Sequence, residues 1–145
     1  MCGIVGCFHP GERGETLRAA ALAMAATILH RGPDSDGLHL EEADGLALGF
    51  RRLAVVDLTP TGSQPMASHS GRYMVVYNGE IYNHHQLRRE LEGVAWRGTS
   101  DTEVMVAAFD RWGVAATLPR LEGMLALAVW DRTDRTITLA RDRIG

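Results

Sequence analysis

Every residue from Met124 to Trp130 is apolar, and this run narrows the possible folds more than any other feature of the chain. It is far shorter than the roughly 20 residues that span a bilayer. A short apolar run of this kind reads as a strand buried on both faces. Residues 136–140 (TITLA) alternate in polarity and form its hairpin partner, with Asp131 to Arg135 as the connection. Together with the other elements of the chain, several strands with helices grouped between them, this strand gives α+β with a layered core as the expected class.

The remaining elements fit that class. Residues 2–8 (CGIVGCF) predict a buried strand ended by His9-Pro10-Gly11. Residues 15–30 predict a helix with Leu17, Ala21, Met24 and Ile28 on one stripe and Leu22, Ala26 and Leu29 on a second, a helix covered on two sides. The breaker-rich segment HRGPDSDG (30–37) predicts a loop stabilised locally by Arg31, Asp34 and Asp36. Short strands are expected at 38–41, 45–50, 53–58 and 73–77. Asn83 with Gln86, and Ser100 with Glu103, have the spacing of capping boxes opening two helices. In the second helix Met105, Phe109 and Trp112 share a face, and Gly113 stops it.

Cys2 and Cys7 are the only cysteines, on opposite faces of one strand, where they cannot bridge. Without a disulfide framework or a signal peptide the expected compartment is the cytoplasm. A net charge of −3 offers no general attraction to nucleic acid or anionic lipid, so neither nucleic acid nor membrane is an expected partner. The six histidines have no metal-ligand spacing, and no metal site is expected.

Position gives Cys2 a second chemistry. Removal of Met1 would leave it with a free α-amine beside its thiol. Ordinary values are about 8.5 for a thiol and about 7.7–8.0 for an α-amine. One residue can then supply both nucleophile and base. The plainer reading of Cys2 is a small buried hydrophobe. Asn78-Gly79 offers a side-chain amide and a backbone N–H at a tight turn, and is equally a common hairpin signal. Asp101 suits the first turn of a helix through the dipole alone.

Eight segments, in order and along the whole chain, resemble the class II glutamine amidotransferases, and within them the glutamine-hydrolysing asparagine synthetases. They are MCGIVG (1–6), HRGPDSDG (30–37), RLAVVDL (52–58), QPM (64–66), YNGEIYNH (77–84), SDTEV (100–104), EGMLALAVWD (122–131) and ARDRIG (140–145). The resemblance implies the four-layer αββα sandwich of the N-terminal-nucleophile hydrolases. It also implies L-glutamine as substrate, with Cys2 as nucleophile and Asn78 and Gly79 as the oxyanion hole. By the same resemblance Arg52 grips the substrate α-carboxylate, Asp101 its α-ammonium, and backbone near Val56 lines the pocket. Glu80 holds the turn or contacts substrate, and Arg51 is a solvated charge pointing the other way.

The family domain continues beyond RDRIG, so residues 1–145 are expected to be an incomplete glutaminase domain, truncated at its C-terminal end. The partner implied is a synthetase domain absent from this sequence, which would use ATP and magnesium to make asparagine from aspartate. No cofactor is expected in residues 1–145 themselves, and a homodimer is left open. Transfer of ammonia to a different acceptor, or a non-catalytic binding or regulatory remnant, are the alternative readings.

Overall fold

The computed structural model describes residues 2–12, 14–53 and 60–144. The predicted strand at 53–58 lies outside the described residues except for Leu53. Strands β1 (Gly3–Phe8), β2 (Ser35–Glu41) and β3 (Leu46–Arg52) form one antiparallel sheet in the order β1-β3-β2. Strands β4 (Met66–Ala67), β5 (Tyr73–Ile81), β6 (Gly123–Asp131) and β7 (Thr136–Arg141) form the second, antiparallel in chain order. Helix α1 (Gly14–Thr27) covers the outside of the first sheet. Helices α2 (His84–Glu90) and α3 (Asp101–Trp112) cover the outside of the second, and a short α4 (Val114–Thr117) follows.

Three apolar layers hold these four together. Between the sheets lie Leu46, Leu48 and Phe50 of β3, Met74 and Val76 of β5, and Ala128 and Trp130 of β6. The alternate residues turn outward. Ala47 meets Leu17 and Ala21 of α1, while Val75, Tyr77, Leu127 and Val129 meet Val104, Met105 and Phe109 of α3. Strands buried on both faces lose the polar alternation of a half-exposed sheet. This is why the 124–130 run is apolar throughout, and the four-layer αββα sandwich is the architecture observed. Each large side chain withdrawn from water, such as Phe109 or Trp130, contributes about 1.5–3 kcal/mol.

Several expectations need correction. Only one side of α1 is covered: Leu17, Ala21 and Ala25 are buried, whereas Leu22 and Leu29, and also Met24 of the first stripe, are exposed, with nothing among the described residues packed on the outer side. The segment 30–37 is not all loop. Residues Leu29–Arg31 make a 3-10 turn, and β2 begins at Ser35 because Ser35 and Asp36 pair with Arg52 and Arg51. Met124 is half-exposed at the start of β6. Asn83 does open α2, yet its side chain caps nothing there and bridges the Arg120 carbonyl and the Glu122 N–H instead. Ser100 caps α3 as expected, its Oγ accepting from Glu103 N at 3.2 Å. The Glu103 carboxylate does not reciprocate. It is buried and accepts from the N–H groups of Arg97 and Gly98, fixing the loop ahead of the helix. No helix among the described residues is long and apolar enough to cross a membrane.

One end of the sandwich is fastened by charge. Arg132 and Arg135, in the β6–β7 turn, reach Glu41 and Asp44 at the β2–β3 turn of the other sheet. Phe8 lies against Trp130 at the same end, ring centroids 6.0 Å apart. Beside them Arg72 makes a two-pronged contact with Asp131, which also accepts the N–H groups of Thr133 and Asp134. These bonds, led by the one from Arg72, hold the Asp131 carboxyl below the usual carboxylate range in spite of its burial. A depressed folded-state value stabilises the protein above the unfolded value of about 3.9, and the contribution is lost as pH falls through the folded value. Asp131→Asn is expected to lower the urea midpoint at pH 7, with the gap to wild type closing in the acid limb below pH ~4. Parallel curves with a constant gap from pH 7 to pH 2 would contradict this.

Candidate functional site

The opposite end of the sandwich gathers the polar residues singled out by the sequence. Because Phe8, the last residue of β1, lies near Trp130, and Trp130 pairs with Met74 near the start of β5, the start of β1 points toward the end of β5. Cys2 immediately precedes β1 and packs into the inter-sheet layer. The β1–β3 register, carried on by one residue, sets it opposite Arg52. Its Sγ receives the Leu53 N–H at 3.4 Å and lies 3.6 Å from the Leu53 carbonyl, while the Cys2 carbonyl accepts from Arg31 Nε at 3.2 Å. A cavity of about 340 Å³ opens beside it, lined among the described residues by His30, Arg31, Pro33 and Leu53. Cys7 faces the other way, against α1, and burial pushes its thiol up against a lowering backbone hydrogen bond from Ala47. Both cysteines are unbridged.

Asn78 and Gly79 do not make a turn. They sit inside β5, paired with Ala126 and Leu125, because β6 continues as far as Gly123 and keeps β5 extended to Ile81. The Asn-Gly hairpin signal is overridden by strand pairing. Gly79 is required by the closeness of that pairing, since a Cβ there would fall onto the Met124 carbonyl.

The ladder decides which donors remain. Tyr82 N donates to Glu122 O and Arg132 N to Arg72 O, so the even-numbered residues of β5 spend their backbone groups on β6. Odd-numbered residues point to the other edge, where β4 covers only Met74 and Val75. Beyond it, side chains replace a strand. Tyr77 N donates to Gln64 Oε1, and Ile81 N to Asp101 Oδ2 at 3.0 Å. Between them the Gly79 N–H faces the same open edge and has no acceptor among the described residues. Asn78 has committed its backbone to β6, which leaves its side-chain amide, on the face that carries Met74 and Val76 toward the first sheet. Glu80 holds no turn and is exposed on β5.

Asp101 is held through both of its carboxylate oxygens. Oδ2 accepts from Tyr77 Oη at 2.9 Å and from Ile81 N, and Oδ1 accepts from Thr102 N at 2.8 Å, with a long contact to Thr102 Oγ1. Burial and the neighbouring Asp101 charge push the Tyr77 phenol far above its ordinary value, so its hydroxyl stays a donor. Of the four or so acceptor positions of a carboxylate, the weakly filled fourth is open to a ligand cation. Gln64 was not singled out by the sequence as a site residue; only its burial between Tyr77 and Thr102 reveals its part. Arg51 is not a solvated charge. Its Nε donates to the Ala25 carbonyl at the end of α1, and its guanidinium lies 3.7 Å from Asp36. Val56 lies outside the described residues, as does Met1.

The sequence matches the family described as the glutamine amidotransferase domain over residues 1–145. Glutamine-hydrolyzing asparagine synthetase 1 of Bacillus subtilis (strain 168) is 40% identical over 149 residues, an alignment that takes in all of this chain and 23% of that protein. Glutamine-hydrolyzing asparagine synthetase 3 of Arabidopsis thaliana is 37% identical over 145 residues, covering all of this chain and 24% of that one. The chain thus spans about a quarter of the length of these relatives. Among solved structures, the B. subtilis glutamine phosphoribosylpyrophosphate amidotransferase complexed with ADP and GMP superposes with a TM-score of 0.73 over 96% of this chain and 37% of that one, at 20% identity. That likeness is one of fold.

The tie from Tyr77 to Asp101 is testable on its own. Tyr77→Phe keeps the ring in the core and deletes one hydrogen bond to a charged group, an expected loss of about 1.5–3 kcal/mol in chemical denaturation. A variant as stable as wild type would show that the other donors hold Asp101 unaided.

Proposed function

The chain belongs to the glutamine amidotransferase domain family, and on that premise we propose that residues 1–145 carry the glutaminase chemistry of a larger enzyme, with Cys2 as nucleophile. The observation that carries this reading is that Cys2 packs into the layer between the sheets, toward which β5 turns the Asn78 side chain, while the neighbouring Gly79 N–H has no acceptor among the described residues.

In the proposed reaction the Cys2 sulfur attacks the side-chain carbonyl carbon of glutamine, and the thiol proton passes to the α-amine left by removal of Met1. The carbonyl oxygen becomes an oxyanion, stabilised by the Gly79 N–H and the Asn78 amide. Collapse breaks the C–N bond. The nitrogen takes the proton from the α-ammonium and leaves as ammonia, and a γ-glutamyl thioester remains on Cys2. Water then attacks the thioester as the amine takes its proton, the C–S bond breaks with that proton passing to the sulfur, and glutamate is released. Fixed donors suit this sequence because they need no rearrangement as charge develops.

Selectivity for a free amino acid needs both its charges met. Arg52, opposite Cys2 in the extended register, is assigned the α-carboxylate, for which a planar guanidinium supplies paired N–H groups. Asp101 is assigned the α-ammonium, its carboxylate held in place by β5. Backbone near Val56 and the exposed Glu80 are assigned to the pocket wall. In a longer protein like the curated relatives, the ammonia would amidate aspartate in a synthetase portion. ATP and magnesium would act there, and this domain would need no cofactor.

The test is ammonia release from L-glutamine. Cys2→Ala is expected to abolish it. Asn78→Ala is expected to lower kcat on the order of 10²–10³-fold, the cost of losing one oxyanion donor. Arg52→Ala and Asp101→Asn are expected to weaken glutamine binding by about 2–5 kcal/mol, the cost of truncating one partner of a desolvated charge pair. Wild-type turnover by Cys2→Ala, or unchanged glutamine binding by both charge variants, would refute the assignment.

A further inference from the structure

We propose that Arg31 is a positioning residue for Cys2, acting on the backbone of the nucleophile and not on the substrate; the inference rests on the reading of Cys2 as nucleophile. Cys2 precedes the first ladder residue of β1, Gly3, so strand pairing does not by itself hold its backbone. Two contacts do so. The Leu53 backbone holds the sulfur, and Arg31 holds the carbonyl from 29 residues away in sequence.

The guanidinium is unusual in its commitments. Arg31 is half-buried, and among the described residues its side chain has no carboxylate partner. Among the described residues its guanidinium donates to the Cys2 carbonyl, a charge-assisted bond stronger than a neutral one. The base from which it reaches is rigid. Arg31 N bonds to Ile28 O within the 3-10 turn, and Asp34 N bonds to Arg52 O just after it. Between these, Gly32 lies directly on the end of β3, where a Cβ would fall inside the Arg51 carbonyl. The turn therefore cannot shift relative to β3, and β3 is also the strand whose continuation at Leu53 holds the sulfur. Carbonyl and thiol of Cys2 are referred to one fixed frame.

That frame sets the torsions on which both the thiol and the α-amine depend. A nucleophile displaced by about 1 Å loses on the order of 10²-fold in rate. Arg31→Ala is accordingly expected to lower kcat for glutamine by about that factor, with KM changed less than about threefold, since no substrate contact is removed.

A second readout needs no turnover. Cys2-Gly3 is the only Cys-Gly step in the sequence, so labelling cysteine carbonyls with ¹³C and glycine amides with ¹⁵N gives a single amide–carbonyl NMR signal. In Arg31→Ala the carbonyl shift of that signal is expected to move as the hydrogen bond is lost. Arg31→Lys keeps the charge and stem but lacks the Nε–H, so it should move the signal too and lower kcat in the same direction. It also serves if the alanine variant does not fold. A signal that stays in place in a folded variant overturns the proposal. So does a rise in KM with kcat intact, which would make Arg31 a substrate ligand. If the signal moves while wild type releases no ammonia, the positioning stands and the glutaminase reading falls.

Discussion

The apolar layer between the two sheets is the constraint on which the rest depends, because it sets β1 across β5 in one orientation. Each sheet offers one face of large side chains, and the two faces interlock around Trp130, Phe50 and Leu48. Such packing tolerates little sliding, since strands move in steps that exchange inward for outward residues. Fastened at one end by Arg132 and Arg135, the stack fixes what meets at the other. Cys2 arrives from one sheet and Asn78 from the other, without either lying on a mobile loop.

The open edge of β5 is the second device. A sheet edge normally presents a row of unsatisfied groups, which proteins cover or blunt. Here the row is closed selectively. Gln64 takes the Tyr77 N–H and Asp101 takes the Ile81 N–H, while the N–H of Gly79 between them has no acceptor among the described residues. Side-chain caps do what another strand would do, but residue by residue, so one donor can be spared. The same Asp101 bonds hold the amino end of α3 to β5, so a carboxylate suited to meeting a substrate cation is also a structural rivet.

Much of this was legible in the sequence because it depends on local pattern. Ser100 before a polar first turn, the 131–135 hairpin, and Cys2 and Cys7 on opposite faces follow from spacing alone. What failed depended on partners remote in sequence. Asn78-Gly79 has the composition of a turn, and only the length of β6 makes it a strand. Leu22 and Leu29 complete an apolar stripe that no layer among the described residues covers. Arg51 is drawn to the end of α1, and Arg31 to the carbonyl of Cys2. Each is a polar side chain answering a backbone group that strand pairing or helix hydrogen bonding leaves over, which propensity cannot anticipate. The resemblance supplied the roles of Arg52 and Asp101; residue chemistry alone left both open.

The central claim is that the reactive sulfur is the one at the meeting point of the two sheets. Incubation with a diazo-ketone analogue of glutamine, followed by peptide mass spectrometry, reads this directly. A single adduct on Cys2 is expected, suppressed by excess L-glutamine and absent from Asn78→Ala at matched times. An adduct on Cys7, or labelling of Cys2 that glutamine does not suppress, would contradict it.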